Sequence, residues 1–445
     1  MLSRSNPNES AEHRPLPTLR RSVGLLDLVM VGAGSALGVS IFSVLAPAVA
    51  IGGAGVLITI VIAAAPMAVF GIVYAFLASA SPRSGASFEW PTEYLHPFVG
   101  FLLAWLRIFG NIGQLTMIAL VLVQYVSMAM PLAEKPAMLA LYVLVFLLNA
   151  TGVRVAARAE TVLMGLLLAA LGVFVFAGLP HVSVSHIVPL APHGIWPIVL
   201  ATPLMINLFM GIESATEIGE EVRDAETNIP RAIGLSLVLI AVVYLAVTFV
   251  ALGLVGPAAL AGSEAPLVTA ATRSVGAVAL PLVLTAAAIS LTKSLNASFL
   301  IFSRSLFAMG RAGVIPRWIG SVAATNGTPV AAIAVAFACV CLGLALPRSL
   351  VFLFLASNIP VMLKYLTTSA CALRVTVARP DVFARARLRL SQRTVILLSS
   401  LGMLLALGLF LIGYETDWRP YALVGAWGLL GVGFWFTWGQ THEQG

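Results

Sequence analysis

The chain has 445 residues, 60% of them hydrophobic and only 10% charged, with a mean hydropathy of +1.01. So few charges cannot keep a chain of this length in water, which excludes a soluble globular protein; apolar runs of about 20 residues define a polytopic helical membrane protein instead. The formal charge of +7 does not signal nucleic acid, because the basic residues fall in short loops between apolar runs, the pattern that orients membrane helices.

Residues 1–22 are polar and charged. They contain no apolar stretch of the kind a cleavable signal peptide carries, so the first span is expected to act as its own uncleaved signal. Twelve apolar runs follow, over residues 25–51, 54–79, 98–130, 136–151, 159–180, 195–219, 231–256, 277–303, 329–346, 349–373, 394–413 and 420–439. Helices are the expected form, since lipid offers backbone groups no partner. With the N-terminus in the cytoplasm, alternation puts eighteen Lys and Arg residues inside and four outside, an asymmetry that selects this orientation and a cytoplasmic tail at 441–445. The remaining three, Arg107, Lys293 and Lys364, fall inside spans. Cys339, Cys341 and Cys371 lie within apolar runs and read as buried, inert thiols.

The first run contains GAGSALGVSIF at 32–42, in which Gly32, Gly34, Ser35, Gly38 and Ser40 precede Pro47. Small residues at mid-span permit close helix packing, and they also permit backbone geometry that a regular helix excludes. A helix that breaks inside the membrane frees N–H and C=O groups, which is tolerable only where they face a cavity or a ligand. The sixth run repeats the signal in ATPLMINLFMGIESATEIGEEV, where Gly211 interrupts the apolar pattern and Glu213 follows. Interrupted helices at the first places of two sets of five point to inverted repeats, 23–191 and 192–375, with a substrate site between them. The runs within 392–440 then add two helices.

In these motifs the chain resembles the amino acid–polyamine–organocation (APC) transporter family. The resemblance rests on GAGSALGVSIF, on SPRSGASFEWPTEYLHPFVGFLLAW at 81–105, on FMGIESATEIGEEVRDAETNIPRAI at 209–233, and on SRSLFAMGRAGVIPRW with NGTPV at 303–330, in family order. It implies an all-α membrane protein of twelve transmembrane helices: two inverted five-helix repeats of the leucine-transporter-like fold plus two extra helices, with helices 1 and 6 broken. It also implies that freed backbone N–H groups at Gly38, Val39, Ser40, Ile41 and Phe42 hold the substrate carboxylate. Carbonyls of Ala36, Asn207 and Met210, the last two just before Gly211, would hold the ammonium. The chain departs from the family's Gly-Ser-Gly-Ile-Phe at Val39 and Ser40, although backbone donors survive both changes. Asn207 stands where arginine and polyamine carriers often place a tryptophan, and its lack of an aromatic face argues against a guanidinium or diamine substrate.

Ionisable groups at mid-bilayer are costly unless paired. Glu213, the one clear mid-membrane carboxylate, matches a gating position whose partners in relatives come from the third and tenth spans, here Arg107 and Tyr365. An Arg107–Glu213 pair would keep the carboxylate charged and make it a structural latch rather than a proton carrier. Lys364 is the intramembrane cation most readily reached by water from a span end. Lys293 and Ser294 match positions that help bind sodium in sodium-coupled relatives. Several sodium-independent relatives put a lysine there from the fifth span, where this chain has Leu167.

The expectation is therefore a secondary active transporter of a small amino acid across the plasma (inner) membrane, sodium-independent and either proton-coupled or an exchanger. An amine or polyamine carrier of the same fold, and a transporter-like ligand sensor or subunit, stay open. An enzyme is not expected: no histidine lies deep in a span, no metal cluster is present, and the serines lack a base. No cofactor is implied. The expected partners are a small amino acid or amine and the lipid bilayer, and the sequence leaves open whether copies associate as a homo-oligomer.

Overall fold

The structure is a computed structural model that describes residues 21, 23–37, 42, 44–83, 85–127, 130–151, 153–192, 194–263, 265–276, 279–323, 328–416 and 418–438. Among them the chain is helical throughout, and its one strand-like feature is an isolated parallel bridge between Val23 and Val222.

The first helix, α1 (Leu25–Ala36), stops at Leu37, which leaves helical geometry at φ −74° and ψ 79°. The chain resumes as α2 (Leu45–Gly52) and then α3 (Val56–Ala80). A short helix, α4 (Ala86–Tyr94), leads into α5 (Pro97–Ser127), which is followed by α6 (Glu134–Ala150) and α7 (Val153–Gly178). The second interruption comes after α8 (Trp196–Ile206): residues 207–211 form turns, and Ile212–Glu217 and Gly219–Glu221 are wound as 3₁₀ helix. Next come α9 (Ala225–Ala261), α10 (Pro266–Val275), α11 (Ala279–Arg311), α12 (Val330–Leu342), α13 (Leu350–Ala378) and the short α14 (Pro380–Arg385). The chain closes with α15 (Gln392–Thr416) and α16 (Arg419–Trp438).

Among the described residues, seven helical segments are long and apolar enough to cross a membrane: Leu45–Ala80, Pro97–Ser127, Thr161–His181, Ala225–Ala261, Val283–Arg311, Gln392–Leu411 and Arg419–Thr437. Helix α5 is the central post, buried for most of its length, whereas α15 and α16 expose most of theirs, as helices facing lipid do. Small residues let neighbours approach. A Cβ on Gly32 of α1 would lie 2.8 Å from the Ser236 hydroxyl of α9 and 3.1 Å from the carbonyl of Ile212, so any larger residue would force Ser236 and the crossing to shift.

Two tethers hold the interior elements in register. Val23 N–H donates to the Glu221 carbonyl at 3.0 Å, and Arg223 N–H donates to the Val23 carbonyl at 3.0 Å. On the opposite flank, the indole N–H of Trp105 donates to the Trp427 carbonyl (2.9 Å) and that of Trp427 to the Trp105 carbonyl (2.8 Å). Their rings stack 4.9 Å apart at 14°.

Candidate functional site

The two interruptions meet. A Cβ on Gly211, whose φ is +110°, would stand 2.9 Å from the Cβ of Ser35 and 3.3 Å from the Ala36 nitrogen. A cavity of about 110 Å³ lies between the end of α1, residues 207–214, α5, α11 and α13. Of the residues expected at a substrate site, Ala36, Asn207, Met210 and Gly211 line it, and so do Arg107, Glu213 and Ser294. Gly38, Val39, Ser40 and Ile41 lie outside the described residues. The carbonyl of Phe42 accepts from the Tyr125 hydroxyl at 3.2 Å, and that of Ala36 from the Tyr244 hydroxyl at 3.0 Å.

A helix that ends inside a protein leaves its last carbonyls without intrahelical partners. At the end of α1 these are taken by side chains of α11. The Lys293 ammonium, fully buried, donates to the Gly34 carbonyl. The hydroxyl of Ser294 reaches the Gly34 and Leu37 carbonyls at 3.5 Å each, and that of Ser290 donates to Leu37 at 3.2 Å. A cation here also faces the negative end of the α1 dipole. Leu167, at the position where relatives carry a fifth-span lysine, is buried and apolar.

The expected Arg107–Glu213 pair is not the one that forms. Glu213 pairs with Lys364 of α13 at 2.5 Å, both side chains 4% exposed, and its other oxygen accepts from Gly211 N–H at 3.1 Å. Lys364 is thus buried at the cavity rather than at a span end. Arg107 instead donates to Glu217 at 3.1 Å, and Glu217 accepts from both the backbone N–H and the hydroxyl of Ser87. Glu213 is therefore not alone, because Glu217 is a second carboxylate buried at this depth. The 3₁₀ winding of Ile212–Glu217 explains the division of partners. Residues four apart share a face of an α-helix, but at three residues per turn they diverge by about 120°. Glu213 is thereby turned to α13 and Glu217 to α5. The one signal in the sequence was the surplus of intramembrane cations over a single carboxylate, although carbonyls can also satisfy a cation, as at Lys293. Tyr365 follows Lys364 but packs among aromatic rings, stacked on Phe70 at 4.5 Å and edge-on to Tyr74 at 5.9 Å. The Lys364 ammonium lies 5.3 Å from the centre of the Tyr365 ring and 5.7 Å from that of Tyr74, within range of cation–π attraction.

A polar cavity inside a bundle of apolar helices, bounded by two helix interruptions, suits a solute in passage. The amino acid permease family model matches residues 23–432. The chain is 33% identical to an uncharacterized transporter of Mycobacterium tuberculosis over 307 residues, 68% of this chain and 69% of that one. It is 24% identical over 334 residues to a methylthioribose transporter of Bacillus subtilis, covering 70% and 72%. Identity to a branched-chain amino acid permease of Lactococcus lactis is 23% over 448 residues, 94% of each. The molecule is a multi-pass membrane transporter rather than an enzyme. It belongs to the amino acid permease (APC) family.

Proposed function

We propose that this permease is a secondary active transporter of a small zwitterionic amino acid, working by alternating access across the plasma membrane without sodium. Its twelve spans form two inverted five-helix repeats and two added helices, with both termini in the cytoplasm. The observation that carries the reading is the meeting of two helix interruptions at one polar cavity, Gly211 against Ser35. Interrupted helices offer backbone donors from one half-helix and carbonyls from another, the complement of a carboxylate and an ammonium on one small molecule. The ammonium lies against the carbonyls of Asn207 and Met210, and the carboxylate against the N–H groups of residues 38–42.

Lys293 supplies a fixed positive charge between α1 and α11, and a compact ammonium there fills the role of an exchangeable metal ion. Coupling then falls to protons or to a counter-transported solute. The Lactococcus relative is a branched-chain amino acid permease, which supports the amino acid class.

The test is uptake of labelled amino acids into liposomes containing the purified protein. Uptake is expected with or without sodium, and Lys293→Ala is expected to abolish it while the protein still inserts. Lys293→Arg should not restore it, since a guanidinium is larger and does not deprotonate. Uptake that climbs steeply with external sodium, or a fully active Lys293→Ala protein, would make the lysine a bystander. Binding without any uptake would indicate a sensor.

A further inference from the structure

We infer that the cavity selects amino acids whose side chain ends in a neutral hydrogen-bonding group, a hydroxyl or a carboxamide, over aliphatic side chains of the same shape. This rests on the amino acid reading above and specifies its substrate. Beside the apolar Met117, Ile118, Ile301, Phe354 and Val361, the lining carries a group of amides and hydroxyls: Asn111 and Gln114 of α5, Ser357 and Asn358 of α13, and Asn207 at the second interruption. Arg107, Asn111 and Gln114 follow one another at helical spacing, so one face of α5 presents all three. The Asn358 side-chain amide donates to Asn207 Oδ1 at 3.0 Å, which orients the Asn207 side chain, and the Ser357 hydroxyl is turned back onto the Phe354 carbonyl at 2.8 Å.

Asn111 is different. The residue is 8% exposed, and its amide nitrogen is buried with no hydrogen-bond partner among the described residues. A buried donor left unsatisfied is destabilising, and the same donor becomes a recognition element when a ligand supplies the acceptor. A hydroxyl or carboxamide can complement either end of an amide. A methyl group in its place displaces any water from the wall and leaves the amide unpaired, which is why sites built to hydrogen-bond a substrate discriminate strongly against analogues lacking the group.

Charge narrows the class further. The two cations at the cavity are already matched, Arg107 by Glu217 and Lys364 by Glu213, so a charged substrate side chain would find no free counter-charge.

The experiment compares near-isosteric pairs, threonine against valine and asparagine against leucine, as competitors of uptake into liposomes and as ligands in thermal-shift titrations of the purified wild-type protein. The polar member of each pair is expected to bind about ten-fold or more tightly. Asn111→Leu is expected to collapse both ratios. The wild-type ratios need no variant to fold, and Asn358→Leu offers a second probe of the same wall. Valine and leucine binding as well as threonine and asparagine would overturn this specificity while leaving the amino acid reading intact. If no amino acid binds or competes, that reading fails and the specificity falls with it.

Discussion

Lys364 and Glu213 form an ion pair at 2.5 Å in which each side chain is only 4% exposed, and the pair stands at the edge of the cavity beside Gly211. Removing either member strands the other's charge in a low-dielectric interior, which typically costs about 3–5 kcal/mol. Glu213→Gln and Lys364→Met are each expected to lower the unfolding temperature of the purified protein sharply, and the double variant to regain most of the loss. Strictly additive losses in this cycle would remove the pairing from the account.

Glu217 accepts from Arg107 and from two groups of Ser87. Ser87→Ala removes one hydrogen bond to a charged acceptor and should destabilise by about 1.5–3 kcal/mol. Arg107→Ala should be more damaging, because it leaves the carboxylate buried without its counter-charge. The Arg107→Ala and Glu213→Gln effects should add, since these residues belong to separate pairs. Thermal unfolding of the four proteins decides the matter; a strong coupling between Arg107 and Glu213 would contradict the observed partners.

Gly211 sits at φ +110° with Ser35 in the way of a Cβ at 2.9 Å. Gly211→Ala combines a left-handed backbone penalty of roughly 1–2 kcal/mol with a steric clash at the junction of the two interruptions. Reduced stability and reduced uptake are expected together. Adding Ser35→Gly should recover only part of the steric loss, since the Ser35 carbonyl carbon at 3.1 Å and the Ala36 nitrogen at 3.3 Å remain. Unimpaired transport in Gly211→Ala would mean that this close approach is dispensable.

Trp105 and Trp427 exchange indole-to-carbonyl hydrogen bonds across α5 and α16. Trp427→Phe keeps a ring to stack on Trp105 and loses one donor, so a loss of about 0.5–1.5 kcal/mol is expected. Trp427→Ala should lose several times that, because the stacked surface goes as well. Equal Tm values for the two variants would show that the stack contributes little.

Much of the architecture can be read directly from composition and spacing. Sixty per cent hydrophobic residues broken into runs of about 20 require membrane helices, and the Gly-rich stretches mark where α1 and α8 give way to other geometry. The depth of Lys293 in its run likewise announces a buried cation in need of oxygen partners, which the end of α1 provides. Partner choice was not legible. Whether Arg107 or Lys364 meets Glu213 depends on the 3₁₀ winding of six residues, and a change from 3.6 to 3.0 residues per turn redirects a side chain without altering hydrophobic pattern. Glu217 was hidden because it stands near the end of an apolar run, where an acid would ordinarily reach water. The spacing of Arg107, Asn111 and Gln114 shows a polar face on α5, but not that the Asn111 amide nitrogen lacks a partner among the described residues, which only coordinates reveal.

The backbone bonds from Val23 to Glu221 and from Arg223 to Val23 have a kinematic meaning. They join the entrance of α1 to the exit of the second interruption, so these two stretches share a pivot. Neither swings outward alone without breaking both bonds. Any tilt that unseals this end of the bundle must therefore turn Val23 and residues 218–223 as one lever. A pair of spectroscopic probes on the two stretches would keep a constant separation through the whole cycle while both move against α5.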